Sequence, residues 1–219
     1  MLIRWLGNLA VLLASIAACI IVVAAGGWWW FWSTNERELQ ALLIAAEAGD
    51  AASQFALGRS FENGSILGVG PTRDISVAVD WYSRAAQAGS GRAHLRLGLL
   101  HYEGATGIER DYSRALEHFE SASFLGEPDG GYWLATMHRS GEGVPADQET
   151  ALELLREAAE EGSTLGMQTL SFAYELGTFG LSPDPQSASE WRARAEASRK
   201  RETEAIASKL SRRLFHRDQ

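Results

Sequence analysis

Cysteine is nearly absent from this chain of 219 residues, in which Cys19 is the only one. One thiol excludes a disulfide framework within the chain and a cluster of thiolate ligands around a metal. The net charge is −8, of which residues 1–32 contribute +1 and residues 196–219 contribute +3, so residues 33–195 carry −12. Because phosphate binding requires a cationic surface, this acidic segment argues against nucleic acid as a partner.

Charged side chains are also missing from residues 5–32. As a helix, residues 5–25 would rise about 32 Å, which matches a hydrocarbon core of roughly 30 Å. Gly26 and Gly27 follow and would loosen that helix. The sequence therefore predicts a single N-terminal transmembrane helix in an anchor domain over residues 1–34, with membrane contact through residues 5–32.

An unbroken aromatic run ends this apolar segment. It consists of Trp28, Trp29, Trp30, Phe31 and Trp32. Indole rings favour the headgroup layer, where the ring is sheltered and the N–H is wet, so the run predicts a belt at the membrane interface. Consecutive helical residues point in every direction, so all of them cannot face one partner. The alternative is that some of these rings dock onto another membrane protein.

Two other interpretations of the N-terminal segment are less favoured. A cleaved signal peptide has an apolar region of about 7–15 residues, which is shorter than the region here. The stretch that ends at Cys19 is similar to a bacterial lipoprotein cleavage box with this cysteine as lipid acceptor. However, apolar residues 20–23 follow it, where a mature lipoprotein normally turns polar. The sequence thus favours an uncleaved signal anchor.

Flanking charge predicts the orientation of this anchor. Arg4 precedes the apolar segment, and Glu36, Arg37 and Glu38 follow it. The positive-inside rule then places the N-terminus in the cytoplasm and the rest of the chain outside. Eighteen of the twenty basic residues are arginine, which fits a GC-rich bacterial genome. We therefore expect a single-pass protein of a bacterial inner membrane. The segment after the anchor, which contains the repeats described next, would lie in the periplasm.

The remainder of the chain is repetitive, with columns of residues that recur at 36–40 positions. The columns are a glycine (Gly49, Gly89, Gly126, Gly162), a leucine (Leu57, Leu97, Leu134, Leu170), an aspartate (Asp74, Asp111, Asp147, Asp184) and an alanine (Ala78, Ala115, Ala151, Ala188). A fixed period in this range is typical of repeat architectures. The pattern predicts two helices in each unit, of which we call the first helix A and the second helix B. The aspartate column predicts the N-cap of helix B.

The stretches FALGRSFENG, DISVAVDWYSRAAQAG and SGEGVPADQETALELLREAAEEG resemble Sel-one-like repeats (SLR), relatives of tetratricopeptide repeats. The resemblance covers residues 35–198 as a half repeat followed by four units, at 50–89, 90–126, 127–162 and 163–198. It implies an all-α protein in which the transmembrane helix is followed by an α-solenoid of helix-turn-helix SLR units. A cysteine-rich branch of the family has been linked to hydrolase activity, but this chain lacks those cysteines.

Two histidines, His101 and His138, stand where the family has tyrosine. Because they occupy the same position in neighbouring helices A, they could approach each other and, with a carboxylate, bind a metal. Phe61 and Tyr174 fill this column in the other units, which favours a packing role for the rings. The aspartates lie one repeat apart, so they predict caps rather than a catalytic pair. We therefore expect no catalytic residue, metal, cofactor or small-molecule substrate.

The surface of helix A is the remaining candidate site, because helix-pair solenoids expose a concave face lined by this helix. Residues that project between its packing positions form a candidate partner-binding groove: Arg59, Arg96, Tyr102, Trp133 and Arg139. Arginine, tyrosine and tryptophan dominate the energetics of protein interfaces. Ordinary solvated helix surface is the competing interpretation.

A basic segment over residues 199–219 ends the chain and predicts a capping helix that covers the open end of the solenoid over 35–198. The alternative is a basic arm that lies on anionic lipid or an acidic partner. Together these features predict a membrane-anchored adaptor that is an accessory or stabilising subunit of an inner-membrane complex. The alternative function is an envelope hydrolase acting from the solenoid groove.

Overall fold

Helices make up the regular structure of the part of the chain that the computed structural model describes, namely residue 37, residues 39–64 and residues 71–215, apart from one isolated bridge between Ala105 and Ile108. The bounded helices are α1 (Ala51–Asn63), α2 (Ile75–Gln87), α3 (Gly91–Glu103), α4 (Tyr112–Phe124), α5 (Pro128–Ser140), α6 (Gln148–Glu161), α7 (Thr164–Leu176) and α8 (Pro185–Phe215). Residues 39–47 form a further helical segment before α1. The predicted all-α class is confirmed.

Consecutive helices pair to form the units of the fold. Helix α1 packs on α2, α3 on α4, α5 on α6, and α7 on α8, so each pair contains one helix A and one helix B. Successive pairs stack through α2 with α3, α4 with α5, and α6 with α7. Contact between neighbouring units is the arrangement of a solenoid. The predicted α-solenoid of helix pairs is therefore confirmed.

The aspartate column starts every helix B. Asp74 accepts hydrogen bonds from two backbone N–H groups in the first turn of α2, at 3.0 and 3.2 Å. Asp147 makes the same two contacts at α6, with the same distances. Asp184 caps α8 with two such bonds, at 3.0 and 3.3 Å, and Asp111 caps α4 with one, at 3.1 Å. Since each carboxylate satisfies free N–H groups at the positive end of its helix, the predicted caps are confirmed.

The same aspartates also close the loop between the two helices of each unit. The backbone N–H of each aspartate donates to a carbonyl in the last turn of helix A, at 2.8 Å in all four units. The accepting residues are Phe61, His101, His138 and Tyr174. This repeated bond holds the ends of helices A and B together although the loops between them differ in length and sequence.

The leucine and alanine columns form the core between the helices. Leu57, Leu97, Leu134 and Leu170 are between 0% and 7% exposed. The alanine column is equally buried, with Ala188 the most exposed member at 3%. A register shifted by one position would turn these side chains toward another face. The low exposure of every member confirms the repeat register that the sequence predicts.

The C-terminal segment differs from the predicted separate helix over residues 199–219. Helix α8 runs without a break from Pro185 to Phe215, so the predicted boundary falls inside one helix. The physical reason is that residues 186–215 contain no glycine or proline to end it. Side chains of residues 201–209 are all exposed, and Thr164 at the start of α7 donates a hydrogen bond to Glu202 at 3.2 Å. We call residues 201–209 of α8 the arm, and its role as a cap of the open end stays a prediction.

The predicted membrane anchor over residues 5–32, including its aromatic run, lies outside the described residues. Within the described ranges, none of the helices combines the length and the apolar character needed to cross a bilayer. Transmembrane insertion and the orientation of the chain therefore stay predictions.

Candidate functional site: the helix-A surface

Tyr102 and Trp133, both predicted for the groove, lie together at the seam between the second and third units. Their ring centroids are 5.2 Å apart, and Trp133 also stacks on Phe119 at 5.8 Å. The Tyr102 hydroxyl donates to Glu142 at 2.5 Å, and Tyr112 donates to the other oxygen of this carboxylate at 2.9 Å. The bond from Tyr102 contributes most to lowering the pKa of Glu142. The carboxylate therefore stays ionised at neutral pH and fixes both tyrosines.

Arg96 lies at the equivalent seam between the first and second units. Its guanidinium forms an ion pair with Glu62. The Tyr82 hydroxyl donates to the other oxygen of Glu62 at 2.6 Å. Burial, followed by this hydrogen bond, raises the pKa of Tyr82, so its hydroxyl keeps the proton that it donates. The charge of Arg96 is therefore compensated within the chain, which the sequence did not predict.

The remaining groove candidates, Arg59 and Arg139, lie apart from each other. The guanidinium of Arg139 lies 5.2 Å from the ring centroid of Phe179, in the loop between α7 and α8. Arg59 is exposed on α1, and no carboxylate of the described residues lies within ion-pair distance of it. The five candidates thus do not form one continuous groove: Tyr102 contacts Trp133, Arg59 and Arg96 line one small recess, and Arg139 lies apart. Their role in partner binding stays a prediction.

A cleft of about 820 Å³ lies against α1. Its positive side chains are Arg59 from α1, Arg92 from α3 and Lys209 from the arm of α8. Phe55 and neighbouring alanines give it an apolar wall, and none of the described lining residues is aspartate or glutamate. We call this recess the cationic cleft. Lys209 and Arg92 were not singled out from the sequence, because no spacing rule connects α8 with the first unit.

A second feature that sequence reasoning missed is a cluster of three histidines between α3 and α4. The Nδ1 atoms of His94 and His118 are 3.1 Å apart. The ring of His101 stacks on His118 with centroids 5.8 Å apart. Burial, then the neighbouring imidazoles and Arg114, lowers the pKa of His118 to about 4. The signal that could have found the cluster is a histidine on each of two helices predicted to pair.

The predicted pair of His101 and His138 is placed differently from what their shared column suggests. The ring partner of His101 is His118, and no ring contact joins it to His138 in the described part of the chain. The Nδ1 atoms of both His101 and His138 are buried without a hydrogen-bond partner. Among the described residues, no group of three or more histidine, cysteine, aspartate or glutamate side chains is arranged to hold a metal ion.

Stacked helix pairs with capped second helices define a helical-repeat protein of the tetratricopeptide-like class. Its residues 51–90, 91–126, 129–163 and 165–195 match the Sel1 repeat, and the chain belongs to the Sel1 repeat family. These four ranges agree within a few residues with the units expected from the sequence. The family resemblance predicted from the repeat columns is thus confirmed.

Similar proteins come from bacteria and plants. The crystal structure of a Sel1 repeat protein from Oxalobacter formigenes superposes with a TM-score of 0.68 at 29% identity, covering 75% of this chain and 64% of that one. An uncharacterized protein of Neisseria meningitidis is 37% identical over 42% of this chain and 20% of its own length. An ERAD-associated E3 ubiquitin-protein ligase component of Arabidopsis thaliana is 30% identical over 51% of this chain and 17% of its own. The matched region therefore spans a fifth or less of these two relatives.

Proposed function

We propose that this protein is a membrane-anchored adaptor, an accessory or stabilising subunit of a bacterial inner-membrane complex. Sel1 repeat proteins bind protein partners and are typically non-catalytic interaction modules. The anchor is residues 5–32, with the N-terminus in the cytoplasm and the repeats in the periplasm. The apolar length of this segment and the charges on either side of it support this part of the proposal.

The observation that carries the adaptor function is the cationic cleft. It combines an aromatic side chain, Phe55, with the exposed guanidinium of Arg59 on the helix-A surface. Helical-repeat solenoids use this surface for binding. Aromatic and arginine side chains at the centre of an interface carry most of its binding energy. The relative from Arabidopsis, as a component of a ligase, is itself part of a larger protein assembly.

The alternative function, an envelope hydrolase, has no comparable support. General acid–base catalysis requires groups that converge on one substrate atom. Each of the carboxylates of Asp74, Asp111, Asp147 and Asp184 instead caps its own helix. These carboxylates stabilise the starts of helices, and this structural role explains them without a catalytic one.

Affinity purification of the full chain in mild detergent, followed by mass spectrometry, tests the adaptor proposal. We expect membrane proteins to be recovered in a fixed ratio to the bait. The matched control is the Leu97→Ala variant, which removes a buried leucine side chain from the second unit and should lose the partner as the solenoid unfolds. Recovery of the same proteins with a bait that carries only residues 1–34 would contradict a role for the repeats.

A further inference from the structure

The cationic cleft is assembled from opposite ends of the sequence. One wall is the first unit, with Arg59 on α1 and Arg92 on α3. Lys209 comes from α8, which extends beyond the last unit as the exposed arm described above. The side chains of the arm, residues 201–209, are exposed to solvent and can therefore reach a ligand. Lys209 of the arm therefore lines the cleft together with arginines that lie more than a hundred positions earlier in the sequence.

The charge of this cleft is opposite to that of the domain that carries it. Residues 33–195 are strongly acidic, but no carboxylate is among the described residues lining the cleft. Arg59 and Arg92 also line it together with Ser60, Asn63 and Ser90, whose side chains can donate hydrogen bonds to oxygen. Three cations gathered on an acidic protein repel one another at a cost, which a bound anion would remove.

The carboxylates described beside the cleft already have arginine partners. Glu62 lines a small adjoining recess with Arg59, Phe55 and Asn63. It is already paired with Arg96 and accepts the hydrogen bond of Tyr82. Arg92 does have a partner, but the contact with Glu127 is long, at 3.7 Å, and the arginine side chain is 75% exposed. Arg92 is therefore free to turn toward a ligand at little cost.

The apolar part of the lining restricts what the anion can be. Phe55, Leu39, Pro71 and the alanines of α1 form a hydrophobic wall beside the cations. The ring of Phe55 is held in place by Tyr82, with centroids 5.5 Å apart. A small inorganic anion would leave this wall unused, whereas a peptide can place carboxylates on the cations and an apolar side chain on Phe55.

We propose that the cationic cleft binds an acidic peptide segment of a partner protein, held between the first unit and the arm of α8. Carboxylates of the segment contact Arg59, Arg92 and Lys209, and an aliphatic or aromatic side chain packs against Phe55. This inference rests on the proposed adaptor function and adds to it the chemistry of the partner. The arm thus forms one side of the proposed peptide-binding site, and the first unit forms the other.

Fluorescence anisotropy with a short labelled peptide tests this proposal. The probe contains glutamate and aspartate around one leucine, and its twin carries glutamine and asparagine at the same places. We expect the full chain in detergent to bind the acidic probe and not its twin, and binding to weaken as salt is raised. The substitutions Arg59→Gln, Arg92→Gln and Lys209→Gln should each weaken binding about twofold to fivefold, the range for exposed ion pairs.

Matched controls separate this site from general charge attraction. Lys200→Gln removes an exposed lysine of α8, and Arg156→Gln removes an exposed arginine of α6; neither residue lines the cleft. Both variants should bind like the wild type. Equal loss in the control and cleft variants would overturn the proposal, as would equal affinity for the neutral twin. Vesicles of anionic lipid that compete fully for the probe would assign the cleft to lipid and also overturn it.

The outcome is separable from that of the adaptor proposal. If a membrane partner is recovered equally by wild type and the Arg59→Gln variant while the probe fails to bind, the adaptor function stands and the proposed peptide-binding site is wrong. If the probe binds as expected but no partner is recovered, the cleft chemistry stands and the membrane complex is wrong.

Discussion

At the scale of single residues, His118 shows how burial creates a pH dependence that no repeat column reveals. It is surrounded by His94 and His101 on α3 and by Arg114 on its own helix. Each of these groups is cationic when protonated, so a further proton on His118 is disfavoured. The three imidazoles therefore pack together in their neutral form, whereas a protonated His118 would be buried beside other cationic groups.

We predict that stability falls as pH is lowered from 7 to 5. The unfolded chain binds a proton at His118 near the ordinary pKa of 6.5, while the folded chain does so only at about 4. Protons therefore favour the unfolded state from about pH 6.5 downward, with the full loss reached near pH 4. Thermal unfolding followed by circular dichroism should show a flatter pH dependence for His118→Gln than for the wild type.

Asp147→Asn is the contrasting control. Hydrogen bonds with Thr150 lower the pKa of Asp147 below its usual 3.8. The stability that this cap provides is present above pH 3.8 and is lost only in stronger acid. The variant should thus be less stable at both pH 7 and pH 5 while keeping the wild-type slope between them. A wild-type slope in His118→Gln would contradict the role of the histidine cluster.

The residue scale also shows which local features were predictable. The four caps were foreseen because Asp before a helix start is a local signal, reinforced at Asp184 by the following proline. The ion pair of Arg96 with Glu62 depends on which helix faces which across a seam, and the spacing of residues within one unit does not contain that information. The same limit hid His94 and His118.

At the scale of elements, the close approach of helices A and B depends on matched residue sizes. A Cβ added at Gly58 would lie 2.5 Å from the ring of Tyr82, and one added at Gly98 would lie 2.5 Å from the ring of Phe119. In the third unit the equivalent positions are Ala135 and Leu155, which pack in one core cluster. A bulky ring on helix B is therefore paired with glycine on helix A, and a leucine with alanine.

The fourth unit replaces this pairing with polar contacts. Ser171 occupies the small-residue position, and its hydroxyl donates to the carbonyl of Ala188 at 2.8 Å. Arg192 stands where the first unit has tyrosine and pairs with Glu175 at 2.6 Å. Arg192 at the tyrosine position is thus accommodated by Glu175 on helix A, which takes the place that Glu62 has in the first unit.

We predict that Gly98→Ala destabilises the protein by about 1–3 kcal/mol, because the new methyl group overpacks the ring of Phe119. Adding Phe119→Leu should recover part of this loss, since it recreates the combination of Ala135 and Leu155. Urea unfolding of the wild type, both single variants and the double variant gives the coupling energy. Strict additivity of the two changes would show that the glycine is not required by the ring.

At the scale of the whole molecule, the arm of α8 adds a lysine from the C-terminal helix to a cleft on the first unit. Residues 199–219 form the basic segment for which the sequence predicts a capping helix. This segment continues the helix that begins at Pro185, and Lys209 lines the cleft beside the first unit. Composition revealed the basic character of this segment, but the approach of Lys209 to the first unit depends on how the units stack on one another, which no local pattern encodes.

The predicted topology places this whole assembly outside the cytoplasm. We expect an alkaline phosphatase fusion after Ser33 to be active and a green fluorescent protein fusion at the same point to be dark. The physical reason is that Arg4 precedes the apolar segment, whereas acidic residues follow it. A matched fusion after Arg4 should give the opposite pair of results. A fluorescent fusion after Ser33 would place the repeats in the cytoplasm and contradict the periplasmic assignment.

The aromatic run tests whether anchor and solenoid engage one partner together. We predict that replacing Trp28, Trp29 and Trp30 by leucine leaves membrane insertion intact but reduces recovery of the partner in mild detergent. Leucine keeps the segment apolar but lacks the flat ring and the indole N–H. Two linked contacts with one complex bind more tightly than either alone, because the second contact forms at high effective concentration.

The Arg59→Gln variant provides the matched comparison for this last experiment. If both surfaces contact the same complex, each variant alone should retain some partner, and combining the changes should remove it almost completely. The amount of bait in the membrane must be equal in all preparations, so that recovery reports binding and not insertion. Equal recovery from the triple-leucine protein and the wild type would show that the aromatic run only anchors the chain and that the solenoid binds alone.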